Sequence, residues 1–541
     1  LLDRTLRAAG FAAIADHELR DAHRRAEVFG FHLASLDLRQ HSGVHDRVVA
    51  ELLARGGRAG YLDRDEAGRR AQLAEVLAAP IAPIHDTAGL SADTAEALAT
   101  LEVAGRARRE LGPRACERYV VSFTRDVSDL LEVVFLARAA GLAPGELRPV
   151  PLLEQLEDLE RAGAIAADIL AHPVLRLELG DAGLEVMLGY SDSGKQVGHV
   201  ASLVALRRAQ LALVGATAGT GAPLTVFHGR GGSLGRGGGP ARDAILAQPA
   251  AAIRGRLRVT AQGETVTARY AHPEIAERDL ELALAAIVGA ATAERLAAAP
   301  AGASVPADAD ADADSSDERL LDRAAAAARD AYLALTADED RLVRYTVAAT
   351  PIEDVAHLPI GSRPASRKAG ISLDSLRAIP WVFSWTQSRH GIPGWFGVGT
   401  ALETLAAELG PDGTRALADR SRFVRALIQS CELSLVRSDI DVAAEYARLA
   451  DPDARTLFDL IAAEHARTVR ALRDIFGRTE PLSSRPYLAA SVDRRNSTLD
   501  VLSHIQIEAL RRRRAGGDAA HLGRIVFTTI HGIAAGLQTA G

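Results

Sequence analysis

Two segments of the chain contain the residue types best suited to catalysis. Residues 186–198 read VMLGYSDSGKQVG, and residues 224–240 read LTVFHGRGGSLGRGGGP. Each is an apolar run of strand length that changes abruptly to glycine, serine and charged residues. Glycine adopts backbone angles that a side chain forbids, so backbone N–H groups and charged side chains can crowd around an anion at such a strand end. Together the segments indicate a site for a phosphorylated, metal-bound substrate.

Two carboxylates at predicted strand ends are the candidate metal ligands. Glu154 ends the run RPVPLLE, and Asp192 lies three residues before Lys195. Either carboxylate alone could be a structural cap or a surface charge. Mg²⁺ prefers one or two carboxylates and completes its octahedron with water and substrate oxygens, so the pair favours a divalent metal site beside Lys195. That lysine is one of only two in the chain, and the other is Lys368.

A histidine and several arginines complete the candidate site. His228 could be a core histidine that makes one hydrogen bond, but its position before Gly-Arg-Gly favours an exposed imidazole placed for proton transfer. Five arginines lie among Gly, Ser and Pro rather than on helix faces, as guanidinium groups that bind phosphate or carboxylate do. They are Arg230, Arg236, Arg363, Arg367 and Arg377.

Other motifs allow weaker interpretations. Residues 189–195 fit the GxxxxGK frame of a phosphate loop, but Gln196 stands where Ser or Thr would hold Mg²⁺, and Asp192 would face the phosphate. Residues 231–235 fit GxSxG, yet the glycine run after them cannot begin the helix that a nucleophile elbow requires. The basic run 511–514 closes an amphipathic helix, where cations offset the helix dipole. Nucleotide binding, serine acyl transfer and nucleic-acid binding are therefore not predicted.

Composition favours a soluble globular protein. The 541 residues are 48% apolar and carry a net charge of −7, which supplies a core but no field that would draw the protein onto nucleic acid or an anionic membrane. Cys116 and Cys431 form neither a CxxC metal site nor a disulfide framework, as expected in the cytoplasm. Since no uninterrupted apolar stretch approaches about 18 residues, we expect no membrane span.

The order of the elements predicts an α/β protein built on a β/α barrel with many additional helices. Strand-like runs alternate with helical stretches, which implies parallel strands with right-handed crossovers in a barrel or a doubly wound sheet. In a barrel, function collects at the carboxyl ends of the strands, where the charged residues lie. The predicted strands are residues 29–40, 118–126, 148–154, 184–192, 224–230 and 255–264.

The second half of the chain is predicted to be mostly helical. We divide the chain into residues 1–275, with most of the barrel, and residues 276–541, a helix-rich region. Residues 300–318 are acidic and of low complexity, which predicts a solvated loop that lacks the glycine turn and distal Glu of an EF-hand. Residues 358–380 contain several basic residues between apolar flanks and predict an active-site loop over an anion.

These motifs together resemble phosphoenolpyruvate carboxylase over nearly the whole chain. Eight segments occur in the order of that family, which is far more specific than any one of them. They are FGFHLASLDLRQHS, VPLLEQLEDLERA, VMLGYSDSGKQVG, FHGRGGSLGRGGGP, LRVTAQGE, IGSRPASRK, SLRAIPWVFSWTQSR and the terminal GIAAGLQTAG.

The resemblance implies a reaction and the residues that perform it. The family adds bicarbonate to phosphoenolpyruvate to give oxaloacetate and phosphate, which replenishes the tricarboxylic acid cycle, as a homotetramer that uses Mg²⁺ or Mn²⁺. By the matched motifs, Glu154 and Asp192 would bind the metal, and His228 would be the base that deprotonates carboxyphosphate. The residues expected to bind phosphate are Arg39, Arg230 and Arg377. Those expected to act with His228 in catalysis are Arg230, Lys195, Arg363 and Arg377. The closing loop would contain Arg367 and Lys368.

The resemblance also implies a feedback site for aspartate. Its residues would be Arg236, Arg437, Arg495 and Thr539. The bacterial pattern has Lys at the second of these positions and Asn at the last, and His199 replaces an arginine that is usual after the SDSGK motif. Sensitivity to aspartate therefore does not follow from the resemblance alone.

One motif of the family is missing. A TAHPTE-like motif with a further catalytic histidine belongs to the N-terminal part of family members, whereas residues 271–274 read AHPE after the barrel motifs and do not match it. The only methionine is Met187, so Leu1 is not an ordinary translation start. We expect the C-terminal, larger part of a carboxylase, inactive by itself. The alternatives are an inactive regulatory relative that binds a metal and a phosphorylated acid, and another phosphate-dependent lyase on the same barrel.

Overall fold

Helices make up most of the residues that the structure describes, and six short strands lie among those in the first half of the chain. The computed structural model describes residues 1–229, 241–260, 263–297, 315–358 and 378–538. The strands are β1 (Asp37–His41), β2 (Arg118–Ser122), β3 (Arg148–Leu153), β4 (Leu184–Leu188), β5 (Leu224–His228) and β6 (Arg258–Val259).

The helices connect the strands and continue after them, which confirms the prediction of a mostly helical protein. Those before β5 are α1 (Leu2–Ala8), α2 (Ala12–Asp16), α3 (Glu18–Phe29), α4 (Ser42–Arg55), α5 (Glu66–Leu77), α6 (Ala92–Leu111), α7 (Ser128–Ala139), α8 (Leu156–Glu160), α9 (Ala162–Ala171), α10 (Pro173–Leu179), α11 (Ser191–Val197) and α12 (His199–Thr217). Those after β5 are α13 (Ala241–Leu246), α14 (Ala250–Ile253), α15 (Gly263–Tyr270), α16 (Pro273–Ala297), α17 (Ser315–Thr336), α18 (Glu339–Ala349), α19 (Ile352–Val355), α20 (Ala378–Gln387), α21 (Val398–Arg420), α22 (Arg422–Arg437), α23 (Ile440–Ala447), α24 (Pro452–Arg455), α25 (Leu457–Phe476), α26 (Pro486–Arg514) and α27 (Ala519–Leu537).

The strands form one sheet in the order of the chain, from β1 to β6. β1 pairs with β2, β2 with β3, and β5 with β6, each in parallel. β2, β3 and β4 are buried almost throughout, as parallel strands covered by helices on both faces must be. This confirms an α/β fold with helical crossovers. A closed barrel of eight strands is not found among the described residues.

The first predicted strand is wrong over most of its length. The run at residues 29–40 was expected to be extended, but α3 continues to Phe29, and only the last part of the run pairs as β1. Gly30, at φ 50°, ends α3 in a conformation that suits glycine. The other predicted strands each contain the observed one, although β6 has only two residues.

The chain divides into two compact units. Unit 1 contains Leu1–Leu153, Ala162–Met187 and Ala216–Leu224, and unit 2 contains Glu154–Arg161, Leu188–Gly215 and Thr225–Gly541. In unit 1, nearly every residue of α7 is buried, as its apolar sequence SDLLEVVFLARA requires. Cys116, in unit 1, is a buried free thiol, and Met187 is buried in β4.

The core of unit 2 is built around tryptophan. Trp381, Trp385 and Trp395 are all buried in one apolar cluster, and the first two rings meet edge to face with centroids 5.3 Å apart. Such aromatic pairs add to the stability that their buried area already provides. Cys431 lies in the same cluster as a free thiol.

Two predicted loops overlap helices. α17 begins at Ser315, inside the predicted loop 300–318. In its first turn, Asp317 pairs with Nε and Nη2 of Arg420 at 3.0 and 2.7 Å. α20 begins at Ala378, inside the predicted loop 358–380. The rest of both predicted loops, residues 300–314 and 359–377, lies outside the described residues. The predicted division at residue 275 falls within α16 and stays a prediction.

Helix α12 is long and apolar enough to cross a membrane by length and composition alone. Half of the window that meets this test is buried inside the protein. Arg207, within α12, pairs with Glu318 of α17 at 3.1 Å. Burial and an ion pair of this kind are typical of a core helix.

Candidate active site

The ends of β3 and β4 bring Glu154 against Gly189. Glu154 follows β3 directly and is 4% exposed. A Cβ atom at Gly189 would lie 2.3 Å from the Cβ of Glu154 and 3.0 Å from its Cα. Because carbon atoms in contact need about 3.5 Å, only glycine leaves room for Glu154. Glycine is therefore required at position 189 because Glu154 approaches it closely. Backbone conformation does not require it, since the φ angle of Gly189 is not positive.

The polar segment after β4 forms helix α11 rather than a loop. Asp192 lies in its first turn, where a carboxylate faces the positive end of the helix dipole. The hydroxyl of Ser193 donates to the carbonyl oxygen of Gly189 at 3.0 Å. The side-chain carbonyl of Gln196 accepts the backbone N–H of Leu156 at 3.0 Å. α11 therefore ties the end of β4 to the start of α8, and the GxxxxGK frame does not form a phosphate loop.

A tyrosine from a distant helix holds the junction of α11 and α12. The hydroxyl of Tyr332, on α17, donates to the carbonyl oxygen of Lys195 at 2.7 Å. A Cβ at Gly198, whose φ is 82°, would lie 2.9 Å from the Cγ of the same tyrosine. Tyr332 was not predicted, because it is 137 residues from Lys195 in sequence.

His228 is the last residue of β5 and makes a hydrogen bond with Tyr190. Its Nδ1 lies 2.7 Å from the Tyr190 hydroxyl. His228 is 3% exposed, and burial lowers its pKa to about 4. The expectation of an exposed imidazole is wrong, because β5 lies inside the sheet, where Gly229 N–H bonds the carbonyl of Leu188 at 2.9 Å.

The neutral imidazole of His228 can act as a base only in one tautomer. If Nδ1 carries the proton and donates to Tyr190, Nε2 keeps a lone pair that can take a proton. Tyr190 was not predicted to be a site residue. The only available signal was its position two residues after β4, where a tyrosine can reach the end of the next strand.

In unit 1, Arg39 is positioned by a neighbouring strand. It lies on β1, and its Nε donates to the hydroxyl of Ser122, the last residue of β2, at 2.7 Å. The parallel register of β1 and β2 brings these two residues near each other. Ser122 was not predicted, since it lies 83 residues from Arg39 in sequence.

Two arginines of the predicted feedback site approach each other in unit 2. Burial, and after it the charge of Arg495, lowers the pKa of Arg437 to about 10. Arg389, which was not predicted, has a fully buried side chain between them. Its Nε donates to the carbonyl oxygen of Arg437 at 3.0 Å, and its Nη2 donates to Asn496, next to Arg495, at 3.2 Å. Arg389 also pairs with Asp500 at 3.2 Å, and the neighbouring positive charges of Arg437 and Arg495 favour a nearby anion.

The structure brings some of the predicted residues together. Glu154 meets the start of the segment that carries Asp192 and Lys195, and Arg437 lies near Arg495. His228 contacts Tyr190, and Arg39 contacts Ser122 in unit 1. Seven further predicted site residues lie outside the described residues. They are Arg230, Arg236, Arg363, Arg367, Lys368, Arg377 and Thr539.

Comparison with known proteins identifies the family of the chain. The family model for phosphoenolpyruvate carboxylase matches residues 1–541. The chain is 42% identical over 560 residues to the phosphoenolpyruvate carboxylase of Aromatoleum aromaticum, covering 100% of this chain and 59% of that protein. It is 41% identical to the corresponding proteins of Mycolicibacterium paratuberculosis and Nocardia farcinica, covering 58% and 59% of them and 100% of this chain. The chain thus spans somewhat more than half the length of these relatives. It belongs to the phosphoenolpyruvate carboxylase family.

Proposed function

We propose that this chain, together with the remainder of the family's sequence, carboxylates phosphoenolpyruvate to oxaloacetate. The observation that carries the proposal is the set of groups at the ends of successive strands: Glu154 after β3, Asp192 after β4 and His228 at the end of β5. Strand ends of this kind hold the active sites of β/α barrels. Two carboxylates and a neutral imidazole are groups that this reaction needs, and family membership supports the substrates, phosphoenolpyruvate and bicarbonate.

Glu154 and Asp192 would hold Mg²⁺ or Mn²⁺. Their oxygen donors suit these cations, which take one or two carboxylates and complete their coordination with water and substrate. The missing side chain at Gly189 lets Glu154 pack directly against the start of the segment that carries Asp192. When bound, the metal would stabilise negative charge on the enolate oxygen of pyruvate.

The remaining residues would bind and orient the phosphoryl group. A bicarbonate oxygen attacks phosphorus, and the bond from phosphorus to the enol oxygen breaks, which gives carboxyphosphate and the enolate. Arginines around the transferred group would take up its charge. We assign this role to Arg39, Arg230 and Arg377, with Lys195 and Arg363 beside them. Arg367 and Lys368 would close over the site and exclude water.

His228 would take the proton of carboxyphosphate. Loss of that proton releases CO₂ and phosphate next to the enolate, whose methylene carbon then attacks CO₂ to form the new carbon–carbon bond. Tyr190 would hold the imidazole in the tautomer that leaves Nε2 free to accept. We further propose a cytoplasmic homotetramer with an anion-binding regulatory site at Arg437 and Arg495.

Metal binding by the chain is the first test of this proposal. Isothermal titration with Mn²⁺ should show binding to the parent and at least about tenfold weaker binding to Asp192→Asn, because one of two carboxylate ligands is lost. Glu160→Gln, which removes an exposed carboxylate of α8, is the matched control and should bind as the parent does. Equal affinity of all three proteins would contradict the assignment.

Turnover is the second test, on the chain joined to the remaining sequence of the family. In His228→Asn, phosphate release from phosphoenolpyruvate should persist while oxaloacetate, measured with malate dehydrogenase, falls, because phosphoryl transfer precedes the step that needs the base. Equal loss of both products would give the histidine another role. Mn²⁺ binding without phosphate release by the completed parent would favour the inactive regulatory relative.

A further inference from the structure

Glu132 is a buried carboxyl group in unit 1 that the proposed reaction does not use. It lies on α7 and is 0% exposed. Its Oε1 accepts a hydrogen bond of 2.6 Å from the hydroxyl of Tyr61, which is buried as well. Its Oε2 is also buried and has no hydrogen-bond partner among the residues that the structure describes. A buried polar atom in this state lowers stability unless a ligand or a proton satisfies it.

Two further carboxylates lie next to Glu132. One oxygen from each of Asp46, Asp129 and Glu132 lies within 4.8 Å of the other two. Asp46, on α4, pairs with Nη1 of Arg69 at 2.8 Å and with Nη2 of Arg125 at 3.1 Å. Asp129 accepts the backbone N–H of Arg125 at 2.7 Å. Three carboxylates and two guanidinium groups leave one negative charge in excess.

We propose that Glu132 holds a proton in the folded protein and shares it, through Oε2, with the carboxylate of Asp46. One proton reduces the excess negative charge and gives Oε2 a hydrogen bond, while both arginine pairs remain intact. A divalent cation would instead have to bind beside the guanidinium groups of Arg69 and Arg125, whose positive charges repel it. The two arginine pairs therefore favour a proton over a metal ion in this cluster.

The electrostatic environment supports this assignment. Burial, and after it the charges of Asp46 and Asp129, hold the pKa of Glu132 well above its usual range. Burial likewise raises the pKa of Tyr61, so its hydroxyl stays protonated and donates. The titratable and charged groups around the cluster are Asp46 from α4; Tyr61, Glu66 and Arg69 from α5 and the turn before it; and Arg125, Asp126 and Asp129 from α7 and its preceding turn.

The shared proton makes the stability of unit 1 fall as the pH rises above the pKa of an unfolded glutamate. A carboxyl group whose folded pKa is raised contributes stability fully at pH values below its unfolded pKa, near 4.3. That contribution is lost as the pH rises towards the folded pKa, because the native state keeps a proton that the unfolded chain releases. The cluster joins α4, α5 and α7, so deprotonation would weaken the contacts among these helices.

Glu132→Gln tests the proposal, because its amide mimics the protonated carboxyl group and can donate to Asp46. The infrared spectrum of protein with ¹³C-labelled glutamate should contain the carbonyl band of a protonated carboxylic acid at about pH 7. This band should be absent from Glu132→Gln and present in the control Glu96→Gln, which changes an exposed residue of α6. Tyr61→Phe should shift the band without removing it.

The pH dependence of unfolding provides a second readout. Between about pH 5 and pH 8 the ratio of the unfolding constant of the parent to that of Glu132→Gln should rise with pH, by up to tenfold per pH unit for one proton. The titration of the buried histidines is common to both proteins and cancels in this ratio. Absence of the acid band from the parent would overturn the proposal, even if the variant did not fold. Equal pH profiles of parent and variant would also overturn it. The proposal would also be overturned if the parent bound Mg²⁺ or Ca²⁺ and Glu132→Gln did not.

Discussion

Replacing Gly189 with alanine tests the packing on which the candidate metal site depends. The added methyl carbon would lie 2.3 Å from the Cβ of Glu154 and 3.0 Å from its Cα. Contact between carbon atoms requires about 3.5 Å, so one of the two residues must move by roughly 1 Å. The clashing atoms belong to the backbone and the base of the Glu154 side chain, which cannot swing away. Overpacking of this kind costs about 1–3 kcal/mol.

We therefore expect Gly189→Ala to lower the free energy of unfolding by about 2 kcal/mol. We also expect Mn²⁺ to bind roughly tenfold or more weakly, because a displaced carboxylate no longer meets the metal in its proper geometry. Urea unfolding measures the first effect, and isothermal titration the second. The matched control is Gly194→Ala in α11, where the nearest heavy atom to an added Cβ is Ser202 Oγ at 4.0 Å.

The control should be neutral or stabilising, since alanine favours a helix over glycine by about 0.5–1 kcal/mol. If both variants behaved alike in unfolding and in metal binding, the steric reasoning would be refuted. If Gly189→Ala lost stability but kept the Mn²⁺ affinity of the parent, Glu154 would not be a metal ligand.

Three further predictions concern buried polar groups. Tyr190→Phe should lower the free energy of unfolding in urea by about 1–3 kcal/mol, because it leaves Nδ1 of His228 buried without its hydrogen-bond partner. A change below about 0.5 kcal/mol would show that this hydrogen bond is not formed. Acid should destabilise the protein: burial holds the pKa of His45 and His228 at about 4 and that of His390 at about 3. The unfolded chain takes up protons on these histidines below about pH 6.5, so each one lowers the free energy of unfolding by up to about 1.4 kcal/mol per pH unit as the pH falls. An unchanged midpoint of urea unfolding between pH 7 and pH 5 would contradict this prediction. Arg389→Met should lower the free energy of unfolding by about 3 kcal/mol in the same assay, because three hydrogen bonds of a buried guanidinium are lost. The prediction would be wrong if the decrease were no larger than that caused by changing an exposed arginine to methionine.

The buried strands could be predicted from the sequence because their residues are mostly apolar, as their burial requires. Runs such as YVV in β2 and VML in β4 are apolar along their whole length, as a parallel strand covered on both faces requires. The polar residues after them mark the strand ends, so Glu154 and His228 were correctly placed at the ends of β3 and β5. The segment after β4 was less predictable. Its serine and glycine favour a turn locally, but the contacts of Tyr332 and Leu156 stabilise a helix there.

The partners of the site residues could not be predicted from the sequence. Ser122 supports Arg39, and Tyr332 supports Lys195, from positions far along the chain. Such contacts depend on the register of strands and on helix packing, which a local pattern does not encode. The acidic cluster around Glu132 was missed for the same reason. Its carboxylates come from two helices, α4 and α7, and no spacing within either sequence indicates that they meet.

The single methionine offers a spectroscopic reporter of the candidate site. Met187 lies in β4, two residues before Gly189, and is buried. Growth on methionine labelled with ¹³C at the methyl group would therefore give one resonance from the whole chain, with no need for assignment by mutation. Its chemical shift and line width would register Mn²⁺ or phosphoenolpyruvate at the ends of β3 and β4 as each is added. A protein of this size, which is difficult to study by conventional NMR, could thus be titrated through one signal.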